Sequence, residues 1–181
     1  DLVRSRGLGD VYKRQEEHDA REMTAEEIEQ TIRDFGEATR RAIEAGFDGV
    51  EIHGANHYLI HQFVSPYYNR RNDVWADNYK FPVAVIDEVV KAKKAHANDD
   101  FIIGYRLSPE EAESPGISME ITEELIHQIA NKPLDYIHVS LMDVNSVTRE
   151  GKYKGENRLE LIHQWINGRM PLIGIAVSYT H

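Results

Sequence analysis

"FIIGYRLS", residues 101–108, is apolar through its body and turns polar only where it ends. Alternate side chains of a strand share a face, so Ile102, Gly104 and Arg106 fall together. "FDGVEIH" (47–53) repeats the arrangement, with Glu51 and His53 on one face and the histidine at the carboxyl end. Two strands that each present an inward polar residue at the carboxyl end suit a (β/α)8 barrel, because such barrels keep their chemistry there. The plainer reading is that His53 and Arg106 are solvated strand ends.

The surrounding sequence alternates helix and strand. Thr24-Ala25-Glu26-Glu27 is a capping box that opens a helix with Ile28, Ile32, Phe35, Thr39 and Ala42 on one face, and Gly46 stops it. Pro82 suits the first turn of a second helix striped by Val85, Ile86, Val89 and Val90. Thr122 is expected to cap a third helix bearing Leu125, Ile126 and Ile129, ended before Pro133. "DYIHVS" (135–140) and "PLIGIA" (171–176) are strands, separated by a helix capped by Asn157 and carrying Leu161, Ile162 and Trp165. Such alternation implies parallel strands with right-handed crossovers. Four strand–helix units are about half of a barrel, which needs about 250 residues; a four-stranded doubly wound sheet is the competing fold.

Composition narrows the class. The 181 residues are 41% hydrophobic and 29% charged, the profile of a globular domain. A net charge of −10 offers no general attraction to phosphate backbones, so no nucleic-acid partner is expected. No apolar run reaches membrane-spanning length, and no membrane partner is expected. With no cysteine there is neither a disulfide framework nor a thiolate site, and a cytoplasmic location is the natural reading.

"GFDGVEIHGANHYLIHQFVSPYYNRRND" (46–73) closely resembles the old yellow enzyme family of FMN-dependent NADH:flavin oxidoreductases and ene-reductases. "FIIGYRLSP" (101–109) resembles the strand that supplies that family's flavin-contacting arginine. The resemblance runs from about Glu16 to about Ile175 and implies a partial (β/α)8 TIM barrel over 16–176. It also implies FMN as cofactor, NADH or NADPH as reductant, and a small-molecule substrate with an electron-withdrawing carbonyl or similar group. Carried over residue by residue, His53 and Asn56 bind the substrate's carbonyl oxygen, Tyr58 donates the proton, and Arg106 lies beside the flavin pyrimidine ring. The chemistry fits these types: two N–H donors stabilise a developing enolate oxygen, and a phenol can protonate the far alkene carbon. A guanidinium beside the reduced ring balances its negative charge.

Some features depart from the pattern. The family commonly has glycine where this chain has His57, and its loop after the paired arginines is longer than the "NDVWADNYKF" that follows Arg70-Arg71. The resemblance lacks the first three strands of the barrel and the segments near the last strands that hold the FMN phosphate. "LGDVYKRQ" (8–15) and "VSYTH" (177–181) resemble translated adaptor sequence, so residues 1–15 and 177–181 are expected to be foreign ends on a fragment. Alone, that fragment is expected to be inactive and to hold FMN weakly. Two other readings compete. His53, His57 and His61 recur every four residues, as in a metal-dependent (β/α)8 hydrolase, although the zincin signature needs glutamate where Gly54 stands. The chain could also be a non-catalytic barrel fragment.

Overall fold

The computed structural model describes residues 21–176. The two segments expected to be foreign ends, 1–15 and 177–181, lie outside that range. Helix α1 (Ala25–Glu44) opens on Thr24, whose hydroxyl accepts from Glu27 N while the Glu27 carboxylate accepts from Thr24 N, the reciprocal cap expected from sequence. Gly46 then turns the chain through a left-handed conformation, at φ 83°, into strand β1 (Gly49–Gly54). A short helix α2 (Leu59–Val64) and a turn of 3-10 helix (Val74–Ala76) lead to α3 (Lys80–His96). The remaining elements are β2 (Ile102–Leu107), α4 (Met119–Ile129), β3 (Tyr136–Leu141), α5 (Arg158–Ile166) and β4 (Leu172–Ala176).

Helix α4 starts a turn earlier than expected. Its N-cap is Ser118, whose hydroxyl accepts from Ile121 N, and Thr122 sits inside the first turns. Thr122 is buried and spends its hydroxyl on the Pro109 carbonyl at 2.6 Å. A tertiary contact therefore accounts for the threonine that the sequence offered as a cap. Asn157 does cap α5, accepting from Leu159 N and Glu160 N. At the end of α3, Lys91 is exposed and pairs with Glu88, whereas Lys93 is largely covered and lies 3.7 Å from Asp135.

The four strands are parallel and lie in the order β1-β2-β3-β4. A doubly wound sheet would reverse its order and carry helices on both faces; here the order never reverses. One face is fully covered: Ile52, Ile103, Tyr105, Leu107, Ile137 and Val139 are buried and join the helices' apolar stripes in one core. The other face carries Ile102, Ile173 and Ile175 at 44, 41 and 47% exposure. A sheet with helices outside, sequential strands and an open concave side is an arc of a (β/α)8 barrel.

Gly104 is set by that inner face. A Cβ there would lie 2.1 Å from Cζ of Tyr136, which crosses over the glycine to donate its hydroxyl to Glu51. Gly104→Val is expected to destabilise the chain by about 1–3 kcal/mol, because the phenol has to move and its hydrogen bond is lost. Urea unfolding measures this, and an unchanged midpoint would show that Tyr136 does not pack over position 104.

Candidate functional site

The register of the parallel strands assembles the site. His53 of β1 is paired with Arg106 of β2, and Arg106 with His138 of β3, so the three side chains form one row on the open face. His53 lies one residue before the end of β1, as does Arg106 in β2. Arg106 Nη2 donates to Ser140 Oγ at 2.9 Å, which orients the guanidinium. Below it Glu51 accepts from Tyr136 Oη at 3.0 Å and from His138 Nδ1 at 2.8 Å. Glu51 is thus the structural hydrogen-bond acceptor of the inner face.

Among the described residues, His53 Nδ1, Arg106 Nε and His138 Nε2 are buried without a hydrogen-bond partner. Buried polar groups are ordinarily satisfied, so three such atoms in one row mark a surface made to receive a polar ligand. Burial, followed by the positive charge of Arg106, holds the His53 imidazole below its ordinary pKa. Neutral at about pH 7, the ring keeps one N–H to donate and one lone pair.

Past Gly54 the chain makes a tight turn in which Asn56 and His57 adopt φ of 56° and 60°. Asparagine tolerates this left-handed region, whereas histidine does so at some cost. The departure at His57, where the resembled family commonly has glycine, therefore falls on a backbone position that glycine would occupy freely. The turn returns Asn56 to the end of β2: its N–H donates to Ser108 Oγ at 3.0 Å, and the same hydroxyl donates to Asn56 Oδ1 at 3.3 Å. Tyr58 is the N-cap residue of α2, is 61% exposed, and places its ring 5.0 Å from that of His53. The strand end and the turn thus bring together His53, Asn56, Tyr58 and Arg106, the four residues singled out from sequence.

Behind the turn lies a buried carboxylate that the sequence did not flag. Glu111 accepts from Ser65 Oγ, from Ile117 N at 2.8 Å and from His61 Nε2 at 2.7 Å. His57 Nδ1 stands 3.7 Å from the same carboxylate. Among the described residues, the group with metal-ligand spacing is therefore His57, His61 and Glu111, not the rival triplet His53, His57 and His61. His57 precedes α2 and His53 belongs to the strand, so the three histidines never share a helical face. The Glu111 carboxylate already has three donors, and any ion would have to displace the His61 N–H.

Of the loop aromatics, Trp75 is buried against Phe81 and under Lys80, whereas Tyr67 and Tyr68 stay partly exposed, with Tyr68 beside His57. Ser108 and Glu111 both escaped the sequence reading. The signal for Ser108 was its place two residues past Arg106, before a proline that favours extended backbone. Glu111 had none, since its partners lie 46 and 50 residues away.

The model of the NADH:flavin oxidoreductase / NADH oxidase family matches residues 5–175. A Bacillus subtilis protein named "Probable NADH-dependent flavin oxidoreductase YqiG" is 52% identical over 161 residues, which are 87% of this chain and 43% of that protein. The NADH:acrylate oxidoreductase of Vibrio harveyi is 45% identical over 162 residues, 86% of this chain and 16% of that protein. The chain therefore spans less than half the length of these relatives. In solved structures, an old yellow enzyme homologue from Zymomonas mobilis superposes with a TM-score of 0.69 at 24% identity. That match covers 89% of this chain and 44% of the other, and at this identity it speaks to the fold alone. Morphinone reductase in complex with tetrahydroNAD gives 0.68 at 25% identity, covering 87% and 41%.

Proposed function

The chain belongs to the NADH:flavin oxidoreductase / NADH oxidase family, and from that premise we propose that it carries the acceptor-polarising and proton-donating part of an FMN-dependent oxidoreductase. The reaction is reduction of an alkene activated by a carbonyl or similar group, with NADH or NADPH as the source of electrons. The observation that carries this reading is the inner row of partnerless buried nitrogens on His53, Arg106 and His138, with Tyr58 at its rim.

The residues fit a flavin in kind. Arg106, held by Ser140 and with Nε still free to donate, would lie beside the pyrimidine ring and offset its negative charge. FMN, when bound and reduced, would supply the hydride that the activated alkene takes up. His53 and Asn56 donate N–H groups to the carbonyl oxygen as it gains charge, and the neutral state of His53 suits a donor that must not itself lose a proton. Tyr58 gives its phenolic proton to the carbon next to the carbonyl and recovers one from solvent, to which it is largely exposed.

His53→Ala in the full-length flavoprotein tests the polarising pair. Loss of one donor of this type costs roughly 10²–10³-fold in rate. Enone reduction should fall by an amount in that range, and simple phenols, whose oxygen occupies the same place, should bind more weakly. Stopped-flow rates and phenol titration provide both readouts. Unchanged phenol affinity would remove His53 from the acceptor site.

A further inference from the structure

We propose that Ser108 is the positioning residue that makes Asn56 a donor, an inference that rests on the reading of Asn56 as a ligand of the acceptor oxygen. A hydroxyl has one proton to give. Ser108 gives it to Asn56 Oδ1 at 3.3 Å and accepts the Asn56 backbone N–H at 3.0 Å. Both contacts fall on one residue, so the hydroxyl ties the turn and the carboxamide together. With the oxygen end of the carboxamide occupied, Nδ2 and its two hydrogens are the end left for a ligand. A carboxamide turned the other way would set its oxygen against the acceptor's oxygen and repel it.

Ser108 can fix Asn56 only if it is fixed itself, and the next residues anchor it. The Pro109 carbonyl accepts from buried Thr122 at 2.6 Å. Two residues further on, buried Glu111 ties the loop to His61 and Ser65 on the α2 side and to Ile117 N on its own side. Strand β2 ends one residue earlier, at Leu107, the register partner of Gly54. Ser108 thus stands on a rigid strand end, while Asn56, at φ 56°, stands in a turn of exposed residues. The anchored partner sets the orientation of the exposed one. Arg106 and Ser108, two residues apart, make the end of β2 serve both halves of the site.

The test has two arms. In the full-length flavoprotein, hydrogen exchange of the Asn56 backbone amide is followed by nitrogen-15 NMR for wild type, Ser108→Ala and Ser108→Thr. Removing one hydrogen bond should speed exchange by about tenfold, and threonine, which keeps the hydroxyl, should restore it. Unchanged exchange in Ser108→Ala would overturn the proposal. In the full-length flavoprotein, the affinity of 4-chlorophenol should fall by about tenfold in Ser108→Ala and be rescued in Ser108→Thr. In an Asn56→Ala background Ser108→Ala should cost nothing further. An equal loss in both backgrounds would mean that Ser108 acts on the ligand without Asn56, and the proposal would fail. If Asn56→Ala itself leaves phenol affinity intact, it is the acceptor-binding reading of Asn56 that fails, and the exchange arm alone decides Ser108.

Discussion

Tyr58→Phe in the full-length flavoprotein is expected to cut enone turnover by about 10²–10⁴-fold while leaving the reductive half-reaction with NADH or NADPH at its wild-type rate. The substitution keeps the ring, hence its contact with His53, and removes only the O–H. Tyr58 is well placed for this separation of effects. It caps the start of α2 by backbone alone, with no side-chain capping bond, so the helix does not depend on the hydroxyl. Its exposure allows reprotonation from solvent, and no buried network has to be rebuilt when the oxygen goes. Stopped-flow measurement of both half-reactions decides the matter. A variant that slows both equally, or that keeps enone turnover, would show that the proton comes from elsewhere.

That these candidate residues lie together was legible in sequence because their geometry is local. His53 and Arg106 sit near strand ends, and period-two alternation places them on the inner face without knowledge of the rest of the molecule. Asn56 and Tyr58 follow within five residues, in a turn too short to carry them away. Helix–strand alternation implied parallel strands and the polar strand ends favoured a barrel; the sequential order β1-β2-β3-β4 rules out the competing doubly wound sheet.

What escaped was tertiary. Thr122 looked like a cap because threonine before a helical stripe usually is one, yet the Pro109 carbonyl claimed it and Ser118 took the cap. His53 reads as a strand end, which leaves only His57 and His61 to share a helix; a left-handed pair at Asn56 and His57 delays that helix until Leu59 and excludes His57 as well. Glu111 was invisible for a different reason. A carboxylate in a polar loop carries no mark of burial; its neighbours are chosen by the packing of α2 against the loop after β2.

That carboxylate supports the largest stability effect expected here. Burial alone pushes the Glu111 pKa up; the donors from His61, Ser65 and Ile117 outweigh burial and hold it below the ordinary value. Replacement by alanine strands three buried donors, and breaking a buried, hydrogen-bonded charge in this way typically costs about 3–5 kcal/mol. Glu111→Ala is therefore expected to lose stability on that order. Glu111→Gln, which keeps the shape but has to point an NH₂ group at one of those donors, should lose somewhat less. The sign with pH follows from the depressed carboxyl. Its contribution is complete above the unfolded pKa of about 4.3 and drains away as pH falls through the lower folded value. Urea midpoints for wild type and Glu111→Gln should thus differ most near neutrality and converge below about pH 4. A gap that stays constant into acid would mean that the carboxylate's charge contributes nothing. The same variants bear on the site. His61 lies on α2, directly after the turn that carries Asn56, His57 and Tyr58, so loosening its tie to Glu111 frees the element on which Tyr58, the proposed proton donor, stands. Hydrogen exchange of the α2 amides should accordingly rise more in Glu111→Gln than that of the β3 amides, and equal increases would reduce Glu111 to a general stabiliser of the fold.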